Sequence, residues 1–243
     1  MSTIHDAVAE VGDQIYRIHT PVTEIPGGFS FNQYLLVDEG EALLFHTGPR
    51  AVAPRVIEAV DHVVGLERLK YIGFSHVEAD ECGGLNALLA AAPNAVPVCS
   101  AVGAMVQVND LSDRPPRPMR DGDLLELGRR RFRWLDAPHV PHGWDNGYVF
   151  ETTTKTLLCG DLFTQGGTGD APLADAEALK ASEAFRQAFD YYAHAPHTVA
   201  TLERLAALEP DLLACMHGSA HRGDGSALLG HLAQSLRAAA TER

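Results

Sequence analysis

Twelve histidines stand in a chain of 243 residues, more than its nine phenylalanines, and several recur beside carboxylates just after short apolar segments. After the apolar run 71–74 the sequence reads Ser75-His76-Val77-Glu78-Ala79-Asp80-Glu81-Cys82-Gly83-Gly84. His139 and His142 follow a strand candidate at 131–135, Asp161 follows one at 156–159, and His217 follows one at 212–215. Imidazole nitrogens and carboxylate oxygens brought together from separate strand ends are the donors of a two-metal site. His76, Glu78 and Asp80 alternate, so an extended backbone points all three the same way. Gly83 and Gly84 permit a tight turn, and Asp80 and Glu81 fall near a helix amino terminus, where the backbone dipole favours carboxylates. Alone, His-x-Glu-x-Asp describes a solvated acidic loop equally well. The other clusters tip the balance.

The elements that must position these groups follow from periodicity. Strands are expected at 14–18, 32–37 and 42–45, separated by the turn signals Pro26-Gly27-Gly28 and Glu39-Gly40. Val52, Val56, Ile57, Val60 and Val64 recur at helical spacing over 51–64. A strand at 71–74, a helix at 84–92, a strand at 97–99 and a helix at 101–108 follow, then a Pro/Arg-rich surface loop at 114–118. The second half repeats the rhythm, with strands at 124–127, 131–135, 147–151, 156–159 and 212–215 and helices at 175–189, 198–208 and 225–240. No composition break divides the chain. This predicts an α/β fold of two packed sheets with helices outside, in a single domain over 1–243.

Composition excludes several function classes. Nineteen Lys and Arg against 32 Asp and Glu give a net charge of −13, which opposes nucleic-acid and anionic-membrane partners. The one basic run, Arg129-Arg130-Arg131 with Arg133, alternates with Phe132 and Trp134 and reads as the solvated face of a strand. No apolar run approaches the roughly 20 residues of a bilayer span, and the amino terminus lacks signal-peptide character. Four cysteines without a close pairing motif suit a reduced, cytoplasmic protein.

The spread of these residues resembles the metallo-β-lactamase superfamily over roughly residues 28–218. The commonest motif there is His-x-His-x-Asp-His, whereas this chain has His76-x-Glu78-x-Asp80-Glu81. Glutamate at the second position resembles the flavodiiron proteins and their smaller relatives, the oxygen-binding di-iron proteins. The resemblance implies a four-layer αβ/βα sandwich. It also implies one metal held by His76, Glu78, His142 and Asp161 and a second by Asp80, Asp161 and His217, with Asp161 bridging. His142 is the better ligand candidate, leaving His139 a supporting role. The remaining ligand of the second site is a histidine in the family, and here that position is Glu81. Either Glu81 coordinates, or it turns away and weakens the second site. Asp80 and Glu81 are also the candidate catalytic carboxylates.

Replacing imidazoles by carboxylates favours harder ions, so two irons are expected, with manganese or zinc as alternatives. The resemblance then implies a non-haem di-iron oxidoreductase that binds and reduces O₂ or NO. A module that only senses O₂, and a dinuclear hydrolase of esters, thioesters, lactones or phosphodiesters with Asp80 orienting a hydroxide, are the rival readings. Flavodiiron proteins carry a flavodoxin domain after the metal domain, near where this chain ends. No flavin is therefore expected in it, and a separate electron-donor protein is. A homodimer is a further implication of the family.

Other notable residues carry blander expectations. His46, in Phe45-His46-Thr47-Gly48, stands where the superfamily often has an Asp-Thr-Gly turn and suits a structural role. Cys82 is expected to be buried, and Trp144 and Phe163 to be core. His194, His197, His221 and His231 are expected at the surface. The glycine-rich loop 165–170 is a candidate gate; it lacks a Gly-Lys-Ser/Thr ending, so nucleotide binding is not supported.

Overall fold

The computed structural model describes residues 7–174 and 178–241. Among them, strands form two seven-stranded sheets. In the first, β1 (Val8–Gly12), β2 (Ile15–Val22), β3 (Phe29–Asp38), β4 (Glu41–Phe45), β5 (Leu69–Gly73), β6 (Val96–Ser100) and β7 (Arg117–Met119) neighbour one another in chain order. β1 to β4 run antiparallel; β4 to β7 run parallel. Parallel neighbours need crossovers. These carry α1 (Ala53–Val63), then α2 (Ala79–Cys82) and α3 (Leu85–Ala91), then α4 (Ala101–Gly103), a π-helical turn at Ala104–Val108 and α5 (Asn109–Leu111).

The second sheet contains β8 (Leu124–Leu127), β9 (Arg130–Asp136), β10 (Gly147–Glu151), β11 (Thr156–Leu158), β12 (Leu173–Ala174), β13 (Leu212–Ala214) and β14 (Ala220–Arg222), in the order β12-β14-β13-β11-β10-β9-β8. Helices α6 (Ala178–Phe189), α7 (Thr198–Ala206) and α8 (Gly225–Thr241) belong to this half.

Side-chain alternation explains the layering. Leu36 and Phe45 face inward and pack with Phe132, Trp134 and Val149 of the opposing sheet. Leu35 and Leu44 point the other way, onto Val56, Val60 and Leu88 of α1 and α3. Phe150 and Leu157 likewise meet Leu202 of α7 and Leu229 of α8. Each sheet is thus covered on both faces, which is why its strands read as nearly continuous apolar runs. Helix, sheet, sheet and helix make the four-layer sandwich that the resemblance implies. Each fully buried Leu or Phe contributes about 1.5–3 kcal/mol by leaving water.

Several expectations are corrected. Arg117 and Pro118, expected in a surface loop, instead form β7 against β6 together with the buried Met119. β7 is an edge strand, so Pro118, which has no amide hydrogen, is tolerated there. Arg131 and Arg133 are solvated as expected, but Arg130 is buried, its guanidinium 3.3 Å from Asp13 and 3.6 Å from Glu151. The helix at 101–108 is interrupted by the π-helical turn and continues through Leu111. His221 is buried on β14, with Nδ1 3.1 Å from the Ala174 carbonyl. The helix expected at 175–189 is seen from Ala178; residues 175–177 lie outside the described residues.

Candidate metal centre

The backbone leaves β5 at Gly73 and carries His76 just beyond the strand end. Glu78 is still extended, at φ −141° and ψ 161°, but α2 begins at Ala79. The single extended row expected for His76, Glu78 and Asp80 therefore ends at Glu78. Two donor groups result. Ligand atoms of His76, Glu78, His142 and Asp161 lie within 4.8 Å of one another, and so do those of Asp80, Glu81 and His217.

Asp161 stands between the groups. Its Oδ2 is 3.2 Å from His142 Nε2 and 3.8 Å from His76 Nε2, while Oδ1 is 3.2 Å from His217 Nε2. Glu78 Oε2 lies 2.9 Å from His76 Nε2 and 3.1 Å from His142 Nε2. Asp80 Oδ2 lies 3.4 Å from His217 Nε2. All seven residues expected at the centre converge. Glu81 does not turn away: it is fully buried, and neither carboxylate oxygen has a hydrogen-bond partner.

Local structure explains why α2 sits here. The Thr47 amide donates to the Glu81 carbonyl over 2.7 Å, and the Gly84 amide donates to Thr47 Oγ1 and to the Gly48 carbonyl, each over 3.0 Å. A Cβ at Gly84 would lie 3.0 Å from Ala53 Cβ and from the Thr47 carbonyl, so a larger residue would push this turn away from α1. Across the site, Gly143 has φ +75°, and a Cβ there would meet His76 Cδ2 at 3.0 Å. The His142 loop closes on His76 because that atom is missing.

Behind the donors, a second tier of contacts orients the imidazoles. His142 Nδ1 lies 3.0 Å from the Tyr191 carbonyl, His217 Nδ1 lies 2.8 Å from the Ser30 carbonyl, and His76 Nδ1 lies 3.0 Å from Ser75 Oγ. A carbonyl only accepts, so His142 and His217 carry their hydrogen on Nδ1. In the neutral ring Nε2 then presents a lone pair to carboxylate oxygens. That arrangement is repulsive unless a proton or a metal ion lies between.

The electrostatics agree. Burial opposes charge on His142, but Asp161 and Glu78 outweigh it and raise its pKa to about 10. Burial likewise opposes charge on His217, yet Asp161 and Asp80 raise it. Hydrogen bonds from His142 and His76 lower Glu78 to about 2. Burial would raise Asp161, but His142 and His217 hold it well below the carboxylate range. Glu81 is pushed well up, first by burial and then by the charges of Asp161 and Asp80. Four carboxylates with three imidazoles, one carboxylate buried without a partner, form a donor set that fits two bound cations.

The remaining candidates fall outside both groups. His46 is fully buried at φ +70°, with Nε2 3.1 Å from Ser75 Oγ; burial lowers its pKa to about 3, so it stays neutral. His139 is exposed, its ring 6.5 Å from that of His197. Trp144 is 54% exposed rather than core, whereas Phe163 is buried as expected. Cys82 is half-buried.

Sequence reasoning missed the supports. Arg17, buried on β2, donates to the carbonyls of Gly218 (2.9 Å) and Gly169 and to Asn32 Oδ1 (2.8 Å). Asn32 in turn donates to the carbonyls of Cys215 (2.9 Å) and Gly218 (2.7 Å). Together they tie the glycine-rich loop and the His217 segment to the first sheet. Arg17 alternates like any strand residue, and the sequence held no signal for it.

The family model for ODP family beta lactamase matches residues 29–218. The chain belongs to this family. It is 27% identical over 207 residues to the rubredoxin-oxygen oxidoreductase of Megalodesulfovibrio gigas, covering 82% of this chain and 50% of that protein. It is 25% identical over 160 residues to a nitric oxide reductase of Moorella thermoacetica, covering 65% of this chain and 40% of that protein. The solved flavodiiron protein of Giardia intestinalis superposes with a TM-score of 0.79 at 18% identity, over 94% of this chain and 59% of that one. The resemblance drawn from Glu78 is thus borne out at the level of family and fold. As an ODP family member the chain spans half or less of the length of these two curated relatives. Among the described residues no helix is long and apolar enough to cross a membrane.

Proposed function

We propose that this protein holds two iron ions and binds and reduces O₂ or NO, with electrons from a separate donor protein. One observation carries the reading: Asp161 presents one oxygen to each of two donor groups that together hold four carboxylates and three imidazoles. His76, Glu78 and His142 would hold one ion, Asp80, Glu81 and His217 the other, with Asp161 between them. Oxygen donors in place of nitrogen favour iron over zinc. Reduced iron supplies open positions and electrons for a diatomic ligand.

The chain's own residues set what can bind. Two divalent ions balance four carboxylates, so the centre exerts little pull on an anionic substrate and suits an uncharged one. Phe29 packs 4.4 Å from the His217 ring, Phe185 stacks on Phe29 at 5.9 Å, and Tyr191 sits 6.2 Å from His142. This aromatic arc flanks the His217 and His142 rings. The relatives named as an oxygen oxidoreductase and a nitric oxide reductase agree with the reading.

The test is metal analysis of protein purified without added metal, followed by anaerobic reduction and exposure to O₂ or NO. Two irons per chain, with reductant consumed on adding either gas, are expected. Stoichiometric zinc without iron overturns the proposal. A persistent oxygenated spectrum without reductant consumption reduces it to O₂ binding alone.

A further inference from the structure

Helix α2 has two faces. At about 100° per residue, Ala79, Cys82 and Gly83 lie on one side and Asp80 and Glu81 on the other. The acidic side meets His217. The opposite side lines a cavity of about 370 Å³, walled elsewhere by Phe74, Leu85, Val108 and Leu111 and adjoining the first donor group at Glu78. That volume falls within the usual range of small-molecule sites, about 300–1,000 Å³.

The polar atoms around it are already engaged. Asn86 donates through Nδ2 to the Leu111 carbonyl and accepts through Oδ1 from the Asp113 amide, each over 2.9 Å. The Cys82 thiol donates to the Glu78 carbonyl over 3.2 Å. Glu78 is the one charged residue on the wall, and it repels anions. Across the cavity, the π-helical turn at Ala104–Val108 widens the helix, and such turns recur at functional sites. Val108 is buried in the wall, while Leu111 is 55% exposed. Water in such a space finds few partners, so an apolar guest displaces it readily.

We infer that this cavity is a binding site for a compact, uncharged, apolar molecule the size of one substituted aromatic ring. Its occupant touches α2, the same helical turn that carries Asp80 and Glu81, and the wall residue Glu78 of the other donor group. The inference goes beyond the proposed O₂ or NO chemistry and does not depend on which metal is bound.

Benzyl alcohol and benzoate, alike in ring and different in charge, are the probes. Binding to the purified protein is followed by ligand-observed NMR and by labelling of Cys82 with monobromobimane, located by mass spectrometry. Cys82 is the suitable reporter because Cys99, Cys159 and Cys215 are buried. Saturable benzyl alcohol binding that slows Cys82 labelling about tenfold at nine times its Kd is expected, with benzoate giving no protection. Unchanged labelling with benzyl alcohol, or equal protection by benzoate, overturns the inference. Ala79→Leu, at an exposed position of α2, and Val108→Phe, on the facing wall, each fill the space. Whichever folds must lose benzyl alcohol binding; persistent binding overturns the assignment.

Discussion

The amide of Thr47 donates to the carbonyl of Glu81 over 2.7 Å, joining the turn after β4 to the helical turn that carries Asp80 and Glu81. The bond fixes the backbone of Glu81 and keeps its carboxylate facing Asp161 and Asp80. Burial of an acid among acids is unfavourable without a cation, so this contact places stress in the metal-free protein that metal binding relieves.

Glu81→Gln therefore has opposite effects in the two states. Gln cannot ionise, so it escapes the cost of keeping the buried Glu81 protonated while the unfolded chain ionises, and should stabilise the metal-free protein at neutral pH by about 1–4 kcal/mol. The loaded protein should retain one ion instead of two. Thermal unfolding with and without chelator, beside metal analysis, checks both signs. A lower midpoint for the metal-free variant would contradict the assignment.

The pH dependence of the metal-free protein follows from His142 and Glu81. His142 rises from 6.5 to about 10, so its contribution is fully present below about 6.5 and is lost as pH climbs to about 10. Glu81 is raised as well and acts in the same direction. Glu78, lowered from 4.5 to about 2, contributes above pH 4.5 and is lost as pH falls through 2. The metal-free thermal midpoint should decline between pH 6.5 and 10. Metal binding should release protons and strengthen over that range. A flat midpoint together with proton-neutral metal binding would contradict both.

Gly143→Ala places a Cβ at positive φ and 3.0 Å from His76 Cδ2. A cost of about 1–2 kcal/mol is expected. The His142 loop should be pushed away, so the ion shared by His76, Glu78 and His142 is lost first. Urea unfolding and metal content at limiting iron measure the two effects.

Arg17→Met removes the guanidinium from the carbonyls of Gly169 and Gly218 and from Asn32 Oδ1, and Gly218 keeps only its bond from Asn32. About 3 kcal/mol of stability should be lost. Arg17→Lys should recover part of it, since an ammonium cannot reproduce the fork of the guanidinium. Faster proteolysis within 165–171 would report release of the loop; denaturant midpoints report the energy.

Much of the fold was legible because amphipathic period is local. The strand at 147–151 and the helix at 198–206 follow from alternation and 3.6-residue spacing. β7 and β14, three residues each, were not legible, since so short a segment becomes a strand only when a neighbour supplies the ladder. The start of α2 was hidden too. No side chain caps it, and the Thr47–Glu81 bond that holds it spans 34 positions.

At the centre, the seven donor residues could be named from type, spacing and resemblance, and that much belongs to the sequence. His76, Glu78, Asp80 and Glu81 carry their chemistry wherever they lie. The resemblance already assigned Glu78 and Glu81 to different groups; tertiary structure alone decided that Glu81 faces inward. It also decided that the carbonyls of Tyr191 and Ser30 set the ring orientation of His142 and His217. Residue identity specifies which atom can donate. The closeness of residues 30 and 217 exists only once the two sheets have packed face to face, and that of 47 and 81 only once β4 and β5 have paired in one sheet.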